Sequence, residues 1–220
     1  MRKITLIAAM LLVNLHMVAA QTTPETVYEQ KANELLKKAS ALVKGYSSME
    51  IEFSYIMENT QMNITERMSG KIYSKGDKYR MVLGDNVFIS DGKTVWNYID
   101  DLYEIHINSV ENTEGGLTPT ALIEDFENEY RGKFIRQESH KGKLVDILDL
   151  VPLAPQSFFK YRLALDARDH SIVYTIAYDR HGGTYTYNID TLRPNTSISD
   201  SRFVFNRSDF PEAVDVIDLR

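Results

Sequence analysis

The sequence predicts a mainly β protein with a small helical part: one strongly curved antiparallel sheet carrying helices over its concave side. About ten or eleven short segments alternate apolar and polar residues. Turn signals separate them about every 8–12 residues, the spacing of an antiparallel sandwich or barrel. Only two segments carry helical spacing, too few to cover both faces of such a sheet. A single curved sheet with both helices on one side uses every element.

The elements follow in chain order. Arg2 and Lys3 precede an apolar run over residues 4–13, and Val18, Ala19 and Ala20 follow it. The run falls short of the ~20 residues that span a bilayer. This pattern reads as a secretory signal peptide, residues 1–20, cut after Ala20. Residues 21–220 then suit one domain. Residues 24–44 read as a helix. Pro24 fits its first turn. Val27, Ala32, Leu35, Leu36, Ala39, Leu42 and Val43 form one apolar stripe, and Gly45 is a natural stop.

Strands come next. Over residues 48–59, Met49, Ile51, Phe53, Tyr55 and Met57 alternate with Glu50, Glu52, Ser54 and Glu58. Over residues 61–74, Met62, Ile64, Met68 and Ile72 alternate with polar residues, and Glu66 breaks the apolar face. Each strand thus has one apolar and one polar face. Residues 75–78 turn the chain into Tyr79, Met81 and Leu83. Residues 87–90 and 94–99 flank Asp91-Gly92 and read as a hairpin whose two central turn residues take φ > 0. Trp96 and Tyr98 share one face of it and Asn97 takes the other. Residues 102–108 add a strand, and a polar loop follows. Residues 118–130 read as a second helix, with Thr118 and Pro119 at its start, Leu122 on its apolar side and Gly132 past its end. Strands return at 133–138, 143–151, 159–167, 171–179 and 184–192. A last strand near 202–206 precedes an extended tail.

The formal net charge is −6, and Arg2 and Lys3 lie in the leader, so residues 21–220 are more acidic still. That balance argues against nucleic acid and anionic membrane surfaces as partners. With no cysteine, the chain takes no lipid on a thiol and forms no disulfide. His106, His140, His170 and His181 are not paired at metal-ligand spacing. No G-x-S-x-G elbow, P-loop, G-x-G-x-x-G or H-E-x-x-H occurs. Asp100-Asp101 and Asp166 with Asp169 fall at turns, where solvated carboxylates are ordinary. No enzyme activity, metal or cofactor is expected. After the leader the methionines are Met49, Met57, Met62, Met68 and Met81, all on the first three strands and each on an apolar face. Ordinary core packing explains such a cluster. So does a wall that accepts variable apolar ligands, which methionine's flexibility suits.

The string S-D-G-K-T-V-W-N-Y at residues 90–98 resembles the S-D-G-K-x-x-W-x-Y hairpin of the periplasmic outer-membrane lipoprotein carrier family, the LolA-like proteins. Four further features are similar: the leader, the first amphipathic helix, a Gly-containing second strand, and a closing F-x-F…V-x-V-I-D-L segment at 203–219. Together they span nearly all of residues 21–220. The resemblance implies an unclosed β-barrel with a helical lid, working in the periplasm. It implies a chaperone that shields the acyl chains of lipoproteins between the inner and outer membranes. Each buried CH₂ is worth ~0.8 kcal/mol, so a multiply acylated protein leaves a bilayer only at a cost of roughly tens of kcal/mol. Loading must then be energy-driven, and the resemblance implies that an ATP-driven lipoprotein-releasing complex of the inner membrane does it. Delivery would be to an outer-membrane acceptor or to the outer membrane itself, and the carrier is expected to act as a monomer.

On this reading the ligand wall is Phe53, Tyr55, Met57, Ile64, Met68, Ile72, Met81, Trp96 and Tyr98. Leu35, Leu36, Ala39 and Leu122 form the underside of the lid. One departure stands out. The best-known carriers have an Arg-Pro pair soon after the Gly of the second strand, with the Arg latching the lid, whereas this chain has Lys75-Gly76-Asp77. The alternative reading is a periplasmic regulator of the same fold that senses lipid or lipoprotein.

Overall fold

The computed structural model describes residues 24–110 and 129–220. The expected leader, and the expected second helix apart from its last two residues, lie outside the described residues. Among those described there is one α-helix, α1 (Pro24–Lys44), and twelve strands: β1 (Met49–Asn59), β2 (Ile64–Lys75), β3 (Lys78–Leu83), β4 (Asn86–Ser90), β5 (Thr94–Ile99), β6 (Glu104–Ser109), β7 (Tyr130–His140), β8 (Lys143–Pro152), β9 (Phe158–Asp166), β10 (Ile172–Asp179), β11 (Gly183–Pro194) and β12 (Asp215–Asp218).

α1 buries Ala32, Leu35, Leu36, Ala39 and Val43, the centre of the stripe read from the sequence, while Val27 stays exposed. Gly45 ends it, its N–H donating to the carbonyls of Ala41 and Leu42. All twelve strands join one sheet in the order β12-β6-β5-β4-β3-β2-β1-β11-β10-β9-β8-β7. Its end strands, β12 and β7, do not pair with each other, so the barrel is not closed. Sheets beyond about ten strands curl. Here Met81 of β3 and Phe134 of β7, far apart in strand order, share one apolar cluster with Leu36 of α1. The face beneath α1 is the inner face.

Neighbouring strands are antiparallel except β12, which runs parallel to β6. This corrects the expected last strand at 202–206. The chain there forms two short 3₁₀ turns, Asp200–Phe203 and Arg207–Asp209, and pairs only at β12. The Arg207 guanidinium donates to the carbonyls of Phe210, Pro211, Glu212 and Val214 and so gathers this closing segment. Two other boundaries move. Tyr130 and Gly132, read as a helix end, lie in β7. The strand expected from residue 102 starts at Glu104, because Asp100–Leu102 form a 3₁₀ turn and Tyr103 takes φ 56°. In the β4–β5 hairpin only Gly92 has φ > 0. The Asp91 carboxylate does the rest, accepting from the N–H groups of Lys93 and Thr94 at 2.9 and 2.8 Å.

Candidate functional site

Strand register builds the inner face from cross-strand rows. Phe53 stands between Gly70 of β2 and Ile189 of β11. The next row outward along β1 is Met68, Tyr55 and Tyr187, and the row after that is Glu66, Met57 and Tyr185. Burial falls in the same direction. Phe53 is 1% exposed, Met57 and Met68 are half-buried, and Glu66 is exposed. α1 packs on β7 and joins the same apolar cluster as Phe53, and the wall grows more exposed toward the turn after β1.

Two glycines set how closely this wall packs. A Cβ on Gly70 would lie 2.6 Å from Cε1 of Phe53, so the ring fills the place of the missing side chain. A Cβ on Gly132 would lie 3.0 Å from Cδ1 of Leu36 and 3.4 Å from Cβ of Ala32, so Gly132 lets α1 settle onto β7.

Of the residues read from the sequence as a ligand wall, Phe53, Tyr55, Met57, Ile64, Met68, Ile72 and Met81 share the inner face by register. Phe53, Ile72 and Met81 are fully buried there, together with Leu35, Leu36 and Ala39 of α1. Tyr55, Met57, Met68 and Ile64 stand on the more open part. Met62, read as part of the methionine face, is 67% exposed in the turn between β1 and β2. Leu122 lies outside the described residues.

Trp96 and Tyr98 require a correction. They pair with Ile89 and Val87, whereas Asn97 pairs with Phe88, which faces α1's cluster. Trp96 and Tyr98 therefore point to the outer face. There the Trp96 ring stacks on Phe205, centroids 5.4 Å apart, and Tyr98 meets Phe210 at 5.1 Å. The closing segment brings Phe205, Phe210 and Val214 across this side and makes a second small core with Ile105.

Aromatic residues of β9 and β11 take the place given to the hairpin. Tyr187 lies 5.1 Å from Tyr55 and 5.7 Å from Phe53, and Phe158 lies 5.1 Å from Tyr185. Tyr185, Tyr187 and Ile189 alternate with Thr184, Thr186 and Asn188, a period-two signal that marks them as an inner face. Burial first, then the neighbouring Tyr187, Tyr185 and Glu66, pushes the Tyr55 hydroxyl well above the usual phenol range. At the rim, Asp179 accepts from the N–H groups of Gly183 and His181 and from the Tyr185 hydroxyl.

Where the family's latch was expected, Gly76 turns the chain with φ 55°. Lys75 and Lys78 both reach Asp200 of the closing segment, at 3.3 and 3.4 Å. These cations tie β2 and β3 to the C-terminal segment. A separate cleft of about 390 Å³, lined by Glu29, Asn33, Tyr130, Arg131, Gly132 and Leu153, opens beside α1. Its charged and amide groups suit hydrocarbon poorly.

The family match and the sequence relatives point to one family. Residues 44–206 match the family described as Outer membrane lipoprotein carrier protein LolA. An outer-membrane lipoprotein carrier protein from Legionella pneumophila (strain Lens) is 23% identical over 211 residues, 94% of this chain and 96% of the relative. One from strain Corby is 23% identical over 220 residues, 99% of each chain. Among solved structures, an uncharacterized conserved protein from Thermus thermophilus superposes with a TM-score of 0.57 at 13% identity, covering 86% of this chain and 99% of its own. That likeness speaks for the fold alone.

Proposed function

Since the chain belongs to the outer membrane lipoprotein carrier family, LolA, we propose that it is a periplasmic chaperone that carries lipoprotein acyl chains from the inner to the outer membrane. The carriers of this family are periplasmic lipoprotein binders rather than enzymes. The observation that carries the reading is the inner face: one large apolar cluster shared by the sheet and one amphipathic helix, growing more open toward one end.

A cavity for acyl chains forms when α1 lifts its buried side, Leu35, Leu36 and Ala39, from the sheet. The uncovered Phe53, Ile72 and Met81 then meet hydrocarbon instead of helix. Each CH₂ transferred gains about 0.8 kcal/mol relative to water, which offsets the lost helix contacts. An ATP-driven complex of the inner membrane loads the protein, and an outer-membrane acceptor or the membrane itself unloads it. Both partners are what the family resemblance implies; the energetics of desorption ask only that loading be driven.

The test is to purify the protein from the periplasm and analyse what it holds. Acylated lipoprotein or its lipid-modified N-terminal peptide, detected by mass spectrometry, is the expected result. A preparation that carries none, and that fails to extract lipoprotein from spheroplasts, overturns the reading.

A further inference from the structure

The three inner-face rows differ in polarity in a regular order. The Phe53 row, with Gly70 and Ile189, has no polar side chain. The Tyr55 row adds two hydroxyls, those of Tyr55 and Tyr187. The outermost row ends in charge, with Glu66 opposite Met57 and with Asp179 bound to Tyr185. The wall is therefore graded from hydrocarbon-like to anionic along β1.

The two middle hydroxyls are the informative groups. Tyr185 donates its proton to Asp179. Among the described residues, neither Tyr55 nor Tyr187 has a hydrogen-bond partner for its hydroxyl. Burial raises both above the usual phenol range, so both remain donors at neutral pH. Their rings stand 5.1 Å apart on adjacent strands. Neither hydroxyl is sealed from solvent, so a ligand that covers this wall displaces water from both and must replace its hydrogen bonds.

We infer that this wall takes an acyl ligand in one orientation, with hydrocarbon toward the Phe53 row and the ester or amide carbonyl oxygens on the hydroxyls of Tyr55 and Tyr187. The inference rests on the carrier reading and deepens it. A methylene chain needs no donor, whereas a carbonyl that leaves water unpaired is penalised. The carboxylates of the outer row set the sign of the selection. They disfavour a charged carboxylate head and leave an uncharged ester or amide as the preferred end group.

Displacement of a bound apolar fluorescent dye tests this with three probes: dodecane, methyl laurate and laurate. Tyr55→Phe and Tyr187→Phe should each weaken methyl laurate by about two- to tenfold, the worth of one hydrogen bond. Dodecane should be unaffected. On the wild-type protein at pH 7, laurate should displace less well than methyl laurate, and Glu66→Gln should narrow the gap. Circular dichroism melts check each variant, and if Tyr187→Phe does not fold, Tyr55→Phe carries the test. Ester and alkane weakened alike, a double Phe variant with unchanged ester binding, or laurate as strong as its ester overturns the inference and leaves the carrier reading standing. A wild-type protein that binds neither ester nor alkane overturns both.

Discussion

The ring of Phe53 occupies the space that Gly70, its cross-strand partner, leaves without a side chain. A Cβ there would lie 2.6 and 2.8 Å from two ring carbons. Alanine is normally the better strand residue by about 0.5–1 kcal/mol. Displacing a buried ring costs more, about 1–3 kcal/mol for overpacking. Gly70→Ala should therefore lower stability, read as the urea midpoint, and Phe53→Leu should restore part of the loss. A purely additive double variant would mean that the ring and the glycine are not coupled.

Gly132 plays the corresponding role for α1. Its missing Cβ admits Leu36 to within contact of β7. Gly132→Ala should push α1 outward, raise binding of an apolar dye, and speed hydrogen exchange in residues 24–44 more than in β1. Local opening of one element ahead of the rest is the signature of a unit with its own stability. Leu36→Ala should show the same ordering. Equal loss of protection in α1 and β1, with a global loss of ~2–5 kcal/mol, would make Leu36 ordinary core.

The single tryptophan reports the other face. Trp96 and Phe205 are stacked with their planes 2° apart. Phe205→Ala should shift Trp96 emission to longer wavelength and remove about 0.5–1.5 kcal/mol beyond the area covered. Apolar ligands that enter under α1 should leave that emission unchanged. A ligand-dependent shift in the wild type would return Trp96 to the ligand wall.

The two faces of this hairpin also show what periodicity carries. Alternation over residues 94–99 correctly puts Trp96 and Tyr98 on one side and Asn97 on the other, but it gives relative faces, not absolute ones. An apolar side reads as the inner one by default. The closing segment overturns that by bringing Phe205, Phe210 and Val214 to the outer face, a long-range contact that no local window reports. The same segment explains the expectation of a strand at 202–206. F-x-F alternates like a strand, yet the backbone turns in 3₁₀ geometry up to Phe203 and pairs with no strand here, while Phe203 is buried and Phe205 stacks on Trp96. In β1, by contrast, Met49, Ile51, Phe53, Tyr55 and Met57 were legible as one face, because period-two alternation runs unbroken along that strand, whereas in β2 Met62 falls in the turn and Glu66 interrupts the face. The alternation of Tyr185, Tyr187 and Ile189 with Thr184, Thr186 and Asn188 was legible too, but pairing of β11 with β1, which brings these residues to the wall, is a contact between distant parts of the chain.

The β10–β11 turn should be acid-sensitive. The N–H of Gly183 first, then Tyr185 and the N–H of His181, hold the Asp179 carboxyl below the usual carboxylate range. A depressed folded value means stability that is complete above the ordinary Asp pKa of about 3.9 and is lost as pH falls through the folded value. Asp179→Asn should be less stable than wild type at pH 7, and its stability should fall less between about pH 4 and pH 2. Parallel curves for the two proteins over that window would show that Asp179 contributes nothing through its charge.

Met68 and Ile72 lie on the same face of β2, four residues apart, in different surroundings. Ile72 is 1% exposed, and Met68 is half-buried with its Sδ beside Gly84. An unpaired carboxylate sealed in the core is strongly destabilising, so Ile72→Glu should not fold. At Met68 the new carboxylate reaches water, and a cost of about 1 kcal/mol is expected. It would still meet hydrocarbon whenever the wall holds an acyl chain. Met68→Glu should thus be secreted and soluble, melt close to the wild type, and fail to retain lipoprotein in a pull-down from spheroplasts. Retention at the wild-type level would take Met68 out of the ligand wall. Failure to fold, as for Ile72→Glu, would assign the methionine cluster to fixed core instead.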